Sequence, residues 1–205
     1  MLSNVVIFTE TPLWRVIIPV IAAYLLGNIS PSIILGKLHG IDIKKEGSGN
    51  AGTTNALRVL GKKAALITLV IDIGKGVAAV LIGRLIGGEA VGYLCALAVF
   101  CGHIWPCFYS FKGGKGVATA FGALLAVNWM LGLAALAVVA IGLALTKRMS
   151  VGSLLGAVSF SLLCRFLEPD FLLIGSVMAI VVLLKHRANI RRLLKGEEPK
   201  MSFKK

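Results

Sequence analysis

Charged residues are scarce in this sequence, and acidic residues are the scarcest of them. Of the 205 residues 15% are charged, with 9 acidic against 22 basic residues, and 57% are hydrophobic. A soluble globular domain has about 25% charged residues and about half apolar residues, glycine included. The mean hydropathy is +0.88, and the charges stand between long apolar runs. The chain is therefore predicted to be an all-α polytopic membrane protein.

Features typical of other protein classes are also missing. The cysteines Cys95, Cys101, Cys107 and Cys164 contain no C-x-x-C pair and lie in or beside apolar segments. They are predicted to be buried free thiols, not metal ligands or a disulfide framework. No A-x-A cleavage site follows the first apolar run, which is expected to remain as an anchor. The net charge of +13 does not indicate nucleic acid, because the basic residues lie in loops between apolar runs and in the tail.

Seven apolar segments are present, and each is a candidate for a membrane-spanning helix. They cover residues 13–38, 64–86, 90–106, 117–127, 129–146, 150–167 and 171–184. A straight crossing of a bilayer needs about 20 residues. The fourth and seventh segments are shorter, so length alone also allows five spans with re-entrant pieces.

Loop charge decides between these arrangements. The connections that follow the second, fourth and sixth segments hold Glu89, Asn128, and Glu168 with Asp170, and no basic residue. The other connections and the C-terminal end hold Lys44, Lys45, Arg58, Lys62, Lys63, Lys112, Lys115, Lys147, Arg148, Lys185, Arg187, Arg191, Arg192 and Lys195. Since basic loops stay in the cytoplasm, seven crossings are predicted, with the N-terminus outside and the C-terminus inside. Residues 1–198 are expected to form a single domain, followed by a loose basic tail at 199–205.

Polar residues also occur inside the spans. Asn28 and the Ser30-Pro31 pair interrupt the first segment and are expected to bend it, with the freed backbone groups satisfied by neighbouring helices. Asp72 and Lys75 are spaced to share one face of the second helix. Charges within a membrane are functional candidates by default, but a structural ion pair is the slightly favoured alternative. His103, near the end of the third segment, is predicted to be a helix-end hydrogen-bonding residue.

Residues 47–58 form a polar loop that membrane burial does not explain. Three glycines there leave backbone N–H groups accessible, and Ser48, Asn50, Thr53, Thr54 and Asn55 add short hydrogen-bonding side chains. Arg58 adds a forked cation. Such a loop suits a phosphate group, although a solvated turn that caps a short helix is the alternative.

Two further polar stretches share this character. Residues 111–119 place glycines and two lysines before a helical run, which predicts an anion site at a helix start. The spacing is not that of a Walker A loop. Residues 185–198 are predicted to form a helix that leaves the membrane, with His186, Asn189 and Arg192 near one face. By the charge argument all three stretches face the cytoplasm at the ends of neighbouring spans, which indicates one site between water and lipid with at least two phosphate-sized positive regions.

Taken together, these motifs are similar to those of the bacterial acyl-phosphate-dependent glycerol-3-phosphate acyltransferases. The resemblance runs from about residue 23 to 197 and includes residues 47–58, Asp72 with Lys75-Gly76, Gly102-His103, residues 111–119 and residues 186–191. Asn28 and Lys185 stand where many members of that family have serine and arginine.

The resemblance implies an inner-membrane enzyme whose active site faces the cytoplasm. Such an enzyme would transfer a fatty acyl group from acyl phosphate to glycerol 3-phosphate, giving lysophosphatidic acid and phosphate without a metal or organic cofactor. The implied catalytic residues are Ser48, Arg58, His186 and Asn189. The implied substrate-binding residues are Gly49, Asn50, Gly52, Thr54, Asn55, Lys112, Gly113, Gly114, Lys115, Gly116, Arg192 and Glu197. The implied partners are glycerol 3-phosphate, acyl phosphate and the lipid bilayer, and nucleic acid is not among them.

The chemistry read from the residues agrees with this expectation. No histidine has an aspartate five residues later, so the H-x-x-x-x-D motif of other glycerolipid acyltransferases is absent. A mixed anhydride already carries a good leaving group, so catalysis is expected to rest on juxtaposition and charge stabilisation. The main alternative is a transporter of an organic phosphate, which is disfavoured because no internal repeat is visible. An alcohol phosphotransferase would need clustered aspartates, which this chain lacks.

Overall fold

The computed structural model describes residues 11–201, which form ten α-helices, two 3₁₀ turns and no strand. In order the α-helices are α1 Leu13–Gly27, α2 Pro31–Leu38, α3 Thr53–Val59, α4 Lys62–Gly87, α5 Glu89–Ile104, α6 Val117–Val127, α7 Trp129–Thr146, α8 Met149–Leu167, α9 Leu172–Lys185 and α10 Arg187–Leu194. The 3₁₀ turns are Cys107–Tyr109 and Pro169–Phe171. The prediction of an all-α polytopic protein is confirmed.

Each of the seven apolar segments is helical, but they differ in length. Within residues 11–201, five stretches are long and apolar enough to cross a membrane: Leu13–Leu38, Lys62–Gly87, Glu89–Tyr109, Trp129–Thr146 and Met149–Leu167. Pro169–Lys185 passes the same test only together with Arg187–Leu194, from which it is bent by 53°. Helix α6 has 11 residues and is shorter than a straight crossing. The count of seven crossings stays a prediction.

The path of α6 nevertheless supports seven crossings. Its first residue follows the glycine-rich stretch, and its last turn meets the far end of α4. There Arg84 donates hydrogen bonds to the carbonyls of Ala126 and Val127, the second at 2.6 Å. Asn128, which follows α6, donates to Glu168 Oε2 at 2.9 Å. Thus α6 runs from the end of the bundle that carries the basic loops to the end that carries the acidic ones.

The acidic end of the bundle is held by a polar network. Tyr93 Oη donates to Glu168 Oε1 at 2.5 Å, and Arg84 Nε contacts Glu89 Oε2 at 2.7 Å. The Asn128 side chain also accepts from the backbone N–H groups that begin α7. Arg84 lies inside the second apolar segment, so the count of loop charges did not include it; its charge is paired with Glu89.

Close helix packing depends on small residues. An ideal Cβ on Gly76 would lie 2.3 Å from the Thr119 carbonyl oxygen, and one on Gly122 would lie 2.1 Å from that of Ile73. Helices α4 and α6 therefore touch through their backbones, as membrane helices do at small residues. Large apolar side chains such as Leu85, Leu145 and Leu173 point outward, as expected of a surface that faces lipid.

The first span is interrupted at the position that the sequence predicted. Helix α1 ends at Gly27 and α2 begins at Pro31, whose ring cannot continue a helical ladder. The freed carbonyls of Gly27 and Ile29 accept hydrogen bonds from Lys75 Nζ at 3.0 and 2.6 Å. A neighbouring helix thus satisfies the break, as expected.

All four cysteines are free thiols, and Cys95 and Cys164 are buried. Cys107 is exposed, so the prediction that all four are buried is wrong at this position. Cys107 begins the 3₁₀ turn that follows α5, outside the apolar run.

Candidate active site

A cavity of about 450 Å³ brings the three polar stretches together at the basic end of the bundle. Helices α3 to α10 and the C-terminal segment contribute to its walls. Its polar lining consists of Ser48, Asn50, Thr53, Thr54, Asn55, Arg58, Asp72, His103, Lys115, Ser150, Ser153, His186, Asn189 and Glu198. The sequence analysis placed eight of these side chains in the site: Ser48, Asn50, Thr54, Asn55, Arg58, Lys115, His186 and Asn189.

The first polar stretch is held in place by hydrogen bonds from one of its own side chains, that of Asn55. Asn55 is buried at the start of α3, and its Nδ2 donates to the carbonyls of Ile43 at 3.1 Å and Glu46 at 3.0 Å. Its Oδ1 accepts from the Ser48 backbone N–H at 2.8 Å. Asn55 therefore holds the loop that presents Ser48, a role in addition to the predicted contact with substrate.

Around this fixed point, Ser48, Asn50, Gly52, Thr54 and Arg58 line the cavity as predicted. Gly49 does not, because its N–H donates to the Glu46 carbonyl at 3.0 Å and closes a turn outside the cavity. Thr53 Oγ1 is buried and has no hydrogen-bond partner among the described residues. Since Thr53 also lines the cavity, its hydroxyl is available to a ligand.

Only one of the two lysines in the second polar stretch lines the cavity. Lys115 lines it, whereas Lys112 is exposed outside it. Gly116 adopts a φ of 82° just before α6, and an ideal Cβ there would lie 2.3 Å from the Phe100 ring. The turn that aims Lys115 inward therefore requires glycine.

Lys115 carries its charge in a partly desolvated place. Burial lowers the pKa of Lys115 to about 8; Glu198 opposes this shift, while the positive charges of Arg192 and Arg58 add to it. A lysine held this way gains an anionic ligand readily, because phosphate would restore the lost solvation.

The third polar stretch forms a hydrogen-bonded clamp. Asn189 Oδ1 accepts from Lys115 Nζ, and Asn189 Nδ2 donates to Glu198 Oε1 at 2.6 Å. Ser150 Oγ donates to the same Oε1 at 2.7 Å, and Arg192 Nε to Oε2 at 2.7 Å. These three donors hold the pKa of Glu198 below its usual range against the opposing effect of burial, which is the largest single contribution.

Glu198 replaces Glu197 as the carboxylate of the site. Glu197 is exposed and its N–H donates to the Arg192 carbonyl at 2.8 Å, whereas Glu198 is 4% exposed and lines the cavity. Arg192 contacts Glu198 and is not itself part of the cavity wall. The turn after α10 decides which of the two adjacent carboxylates points inward, and no spacing rule distinguishes them.

His186 lies at the junction between α9 and α10 and is buried. Its Nδ1 lies 2.8 Å from the Val182 carbonyl oxygen. Since a carbonyl oxygen can only accept a hydrogen bond, Nδ1 carries the hydrogen and donates it. In a neutral ring Nε2 is then the acceptor. The predicted site residue is therefore present with one fixed nitrogen and one nitrogen available on the cavity side.

The segment after α10 folds back over the cavity. Arg148 Nε donates to the Glu198 carbonyl at 2.8 Å, and the Met201 N–H donates to the Lys147 carbonyl at 2.7 Å. Met201 also lines the cavity. Residue 201 of the tail that was predicted to be loose is thus bonded to the bundle, residues 202–205 lie outside the described part of the chain, and the loose tail stays a prediction.

Sequence reasoning missed five polar groups of the wall: Asp72, His103, Ser150, Ser153 and Glu198. Ser150 and Ser153 are ordinary helix residues whose types give no signal. Asp72 was flagged as an intramembrane charge, and its contact with the site through His103 was not foreseen. Residues 11–201 contain no group of three or more His, Cys, Asp or Glu side chains placed to hold a metal ion.

The rest of the cavity is apolar and runs between the helices. Leu124, Ala135, Phe160 and Met178 belong to this apolar lining. Leu69 of α4 and Leu136, Val139 and Leu143 of α7 line its side. One continuous space thus joins a cationic end to an apolar end, which is the shape that an amphiphile with an anionic head needs.

Comparisons with known proteins agree with this geometry. The profile of the family described as glycerol-3-phosphate acyltransferase matches residues 17–196. A glycerol-3-phosphate acyltransferase of Clostridioides difficile is 46% identical over 197 residues, covering 92% of this chain and 97% of the relative. One of Thermoanaerobacter pseudethanolicus is 44% identical over 191 residues, covering 92% and 96%.

Solved structures give the same result. PlsY, an integral membrane glycerol 3-phosphate acyltransferase, has been crystallised in a glycerol 3-phosphate form. That structure has a TM-score of 0.86 and 35% identity to this chain, and the match covers 91% of this chain and 96% of the other. The lysophosphatidic acid form of PlsY has a TM-score of 0.83 at the same identity. This chain is a multi-pass membrane acyltransferase, and it belongs to the glycerol-3-phosphate acyltransferase family.

Proposed function

We propose that the chain transfers a fatty acyl group from acyl phosphate to glycerol 3-phosphate and releases lysophosphatidic acid and inorganic phosphate. The observation that carries this proposal is the single cavity in which Lys115 and Arg58 face an apolar cleft between α4, α6, α7, α8 and α9. An acyl phosphate has an anionic head and a long apolar tail, and the cavity offers a place to each.

The reaction balances without a further co-reactant. The hydroxyl oxygen of glycerol 3-phosphate forms a bond with the acyl carbon, the bond from that carbon to the phosphate oxygen breaks, and phosphate departs. The hydroxyl proton goes to the departing phosphate, which is basic enough to accept it. The chain then has to supply orientation and charge stabilisation.

The cavity wall suggests how this work is divided. Arg58, with Ser48 and the unpartnered Thr53 hydroxyl, is assigned to the phosphate of the acyl donor. Lys115 is assigned to the phosphate of glycerol 3-phosphate. Asn189 and Glu198 orient Lys115, since Asn189 bonds to both of them. His186 Nε2 is available to the hydroxyl or to a phosphate oxygen.

The membrane orientation follows from loop charge. The basic connections predict that the cavity opens to the cytoplasm, where glycerol 3-phosphate is dissolved. In a cell with two membranes this corresponds to the inner membrane.

The test compares acyl donors. Purified chain in lipid is supplied with radiolabelled glycerol 3-phosphate and with either acyl phosphate or acyl-CoA of the same chain length. We expect labelled lysophosphatidic acid with acyl phosphate and at least a hundredfold less with acyl-CoA. Equal rates with both donors, or product with acyl-CoA alone, would show that the proposed donor is wrong while leaving the family assignment intact.

A further inference from the structure

Three buried ionisable side chains lie at the wall of the active-site cavity, two of them, Asp72 and His103, in its lining, and the proposed mechanism uses none of them. Asp72, Lys75 and His103 are 1%, 4% and 5% exposed. Lys75 Nζ lies 2.8 Å from Asp72 Oδ1 and 2.9 Å from His103 Nδ1. His103 Nδ1 is 3.3 Å from Asp72 Oδ1. We call these three residues the buried triad.

The triad is anchored to two other spans. Lys75 belongs to α4, and its ammonium also bonds to the Gly27 and Ile29 carbonyls at the break in the first span. His103 lies at the end of α5. The Lys75 ammonium thus connects three segments of the chain: the break in the first span, α4 and the end of α5. Together with Asp72 it restrains the edge of the His103 ring that carries Nδ1. Burying three ionisable groups is costly, which calls for a purpose beyond filling space.

The opposite edge of His103 touches the glycine-rich stretch. An ideal Cβ on Gly114 would lie 2.2 Å from His103 Nε2, so the loop backbone rests directly on the ring. The Gly114 N–H donates to the His103 carbonyl at 3.1 Å, and the Gly113 N–H donates to the Ile104 carbonyl at 3.2 Å. The next residue along the chain is Lys115.

We propose that His103 is a positioning residue: held by Asp72 and Lys75, it fixes the glycine-rich stretch so that the Lys115 ammonium stays at the phosphate-binding end of the cavity. This inference rests on the proposed role of Lys115 in binding the phosphate of glycerol 3-phosphate. In this proposal the triad acts through the glycine-rich stretch and not on the reacting atoms.

The physical argument concerns the mobility of the loop. Glycines at 113, 114 and 116 leave the backbone more freedom than any other residue would, and ordering it costs free energy. A rigid wall that contacts the loop through one side chain and two backbone hydrogen bonds removes that freedom before substrate arrives. Binding then loses less entropy, which improves affinity without any new contact to the ligand.

The test replaces His103 and measures both substrates separately. In His103→Asn the amide still reaches the Asp72–Lys75 edge but no longer supports Gly114. We expect KM for glycerol 3-phosphate to rise about tenfold, while KM for acyl phosphate stays within about twofold of its original value. The pKa of Lys115, followed by NMR of ¹³C-methylated lysine, should move from about 8 toward its ordinary value of 10.5, because a loosened loop lets water reach the ammonium.

Two further variants make the result decisive. Gly114→Ala pushes the loop away from an intact ring and should raise KM for glycerol 3-phosphate at least as much; it is less selective, because its Cβ would also lie 2.8 Å from the Ala51 carbonyl oxygen. Because both changes disturb the contact between His103 and Gly114, the double variant should fall short of the product of the single effects. Tyr93→Phe is the matched control: it removes a buried hydrogen bond at the other end of α5 and should leave the Lys115 pKa and both KM values unchanged.

The outcomes separate this inference from the proposed function. An unchanged Lys115 pKa and unchanged KM for glycerol 3-phosphate in a folded His103→Asn protein would overturn the positioning role. So would equal losses for both substrates. If the original chain did not use acyl phosphate at all, the proposed function would fail, and the Lys115 pKa would still report whether His103 holds the loop.

Discussion

Lys115, Ser48 and Arg58 should differ in which kinetic constant they control. Lys115→Ala removes a charge-assisted bond worth roughly 1.5–3 kcal/mol, so KM for glycerol 3-phosphate should rise about ten- to a hundredfold. Ser48→Ala and Arg58→Ala should lower turnover even at saturating substrate, because charge develops where they act. Arg58→Lys should not restore turnover, since an ammonium lacks the forked geometry. Steady-state kinetics of the four variants decide this, and losses confined to KM in all of them would contradict it.

The Lys115 ammonium also predicts a pH dependence. Its pKa of about 8 in the free protein lies below the ordinary value of 10.5, so the cation is complete below about pH 7 and is lost as pH rises through 8. Phosphate prefers the cation, so KM for glycerol 3-phosphate should rise above pH 8. Glu198, whose pKa lies below its usual range, stays ionised throughout and contributes no change. Measuring KM from pH 7.5 to 9.5, where the substrate phosphate is already dianionic, tests this; Lys115→Met should show a flat profile in the same range.

The adjacent carboxylates Glu197 and Glu198 offer a matched pair of variants. Glu198→Gln removes the charge that pairs with Arg192 and disturbs the acceptor shared by Asn189 and Ser150, so turnover should fall at least tenfold. Glu197→Gln alters only an exposed side chain and should change turnover by less than twofold. The turnover of the two variants is measured side by side. A larger loss in Glu197→Gln than in Glu198→Gln would make Glu197 the carboxylate of the site.

At the scale of the element, hydrophobic length and loop composition predicted the helices well. The break at Asn28 and Pro31 was visible because proline and a polar residue stand inside an apolar run. The direction in which individual side chains point could not be predicted from the sequence. Lys112 and Lys115 are separated by two glycines and look equivalent in sequence, yet the left-handed turn at Gly116 directs only Lys115 into the cavity. Likewise the contact between His103 and Gly114 joins two segments whose approach is fixed by α5 packing, which no local pattern records.

The ion pair within α4 should control folding. Lys75 satisfies the carbonyls at the break in the first span, and removing one partner of a buried pair typically costs about 3–5 kcal/mol. Asp72→Ala and Lys75→Ala should therefore reduce the yield of folded protein and lower its melting temperature, measured by thermal unfolding in detergent. A Lys75→Ala protein of normal stability but without turnover would place Lys75 among the reacting groups instead.

At the scale of the whole molecule, the orientation in the membrane can be tested by labelling. A cysteine in place of Glu168 should react with an impermeant reagent from outside, and one in place of Arg148 only from inside. The native Cys107 is exposed and should first be changed to serine, because it would react from the inner side. Reaction of both positions from the same side would exclude seven crossings.

The shortness of α6 has a consequence for where the two substrates meet. Within Val117–Val127 no residue is exposed, so neighbouring parts of the chain cover most of this helix and leave little of it to face lipid. The polar end of the cavity lies at the start of this helix, where Lys115 lines it. That end lies deep: Asp72, which lines it, is about 15 Å along α4 from Lys62 at 1.5 Å per residue. Under the proposed function, a water-soluble acceptor would reach this depth from one side while an oily donor stayed in its leaflet. The effective donor concentration would then be its mole fraction in the bilayer rather than its amount per volume of water.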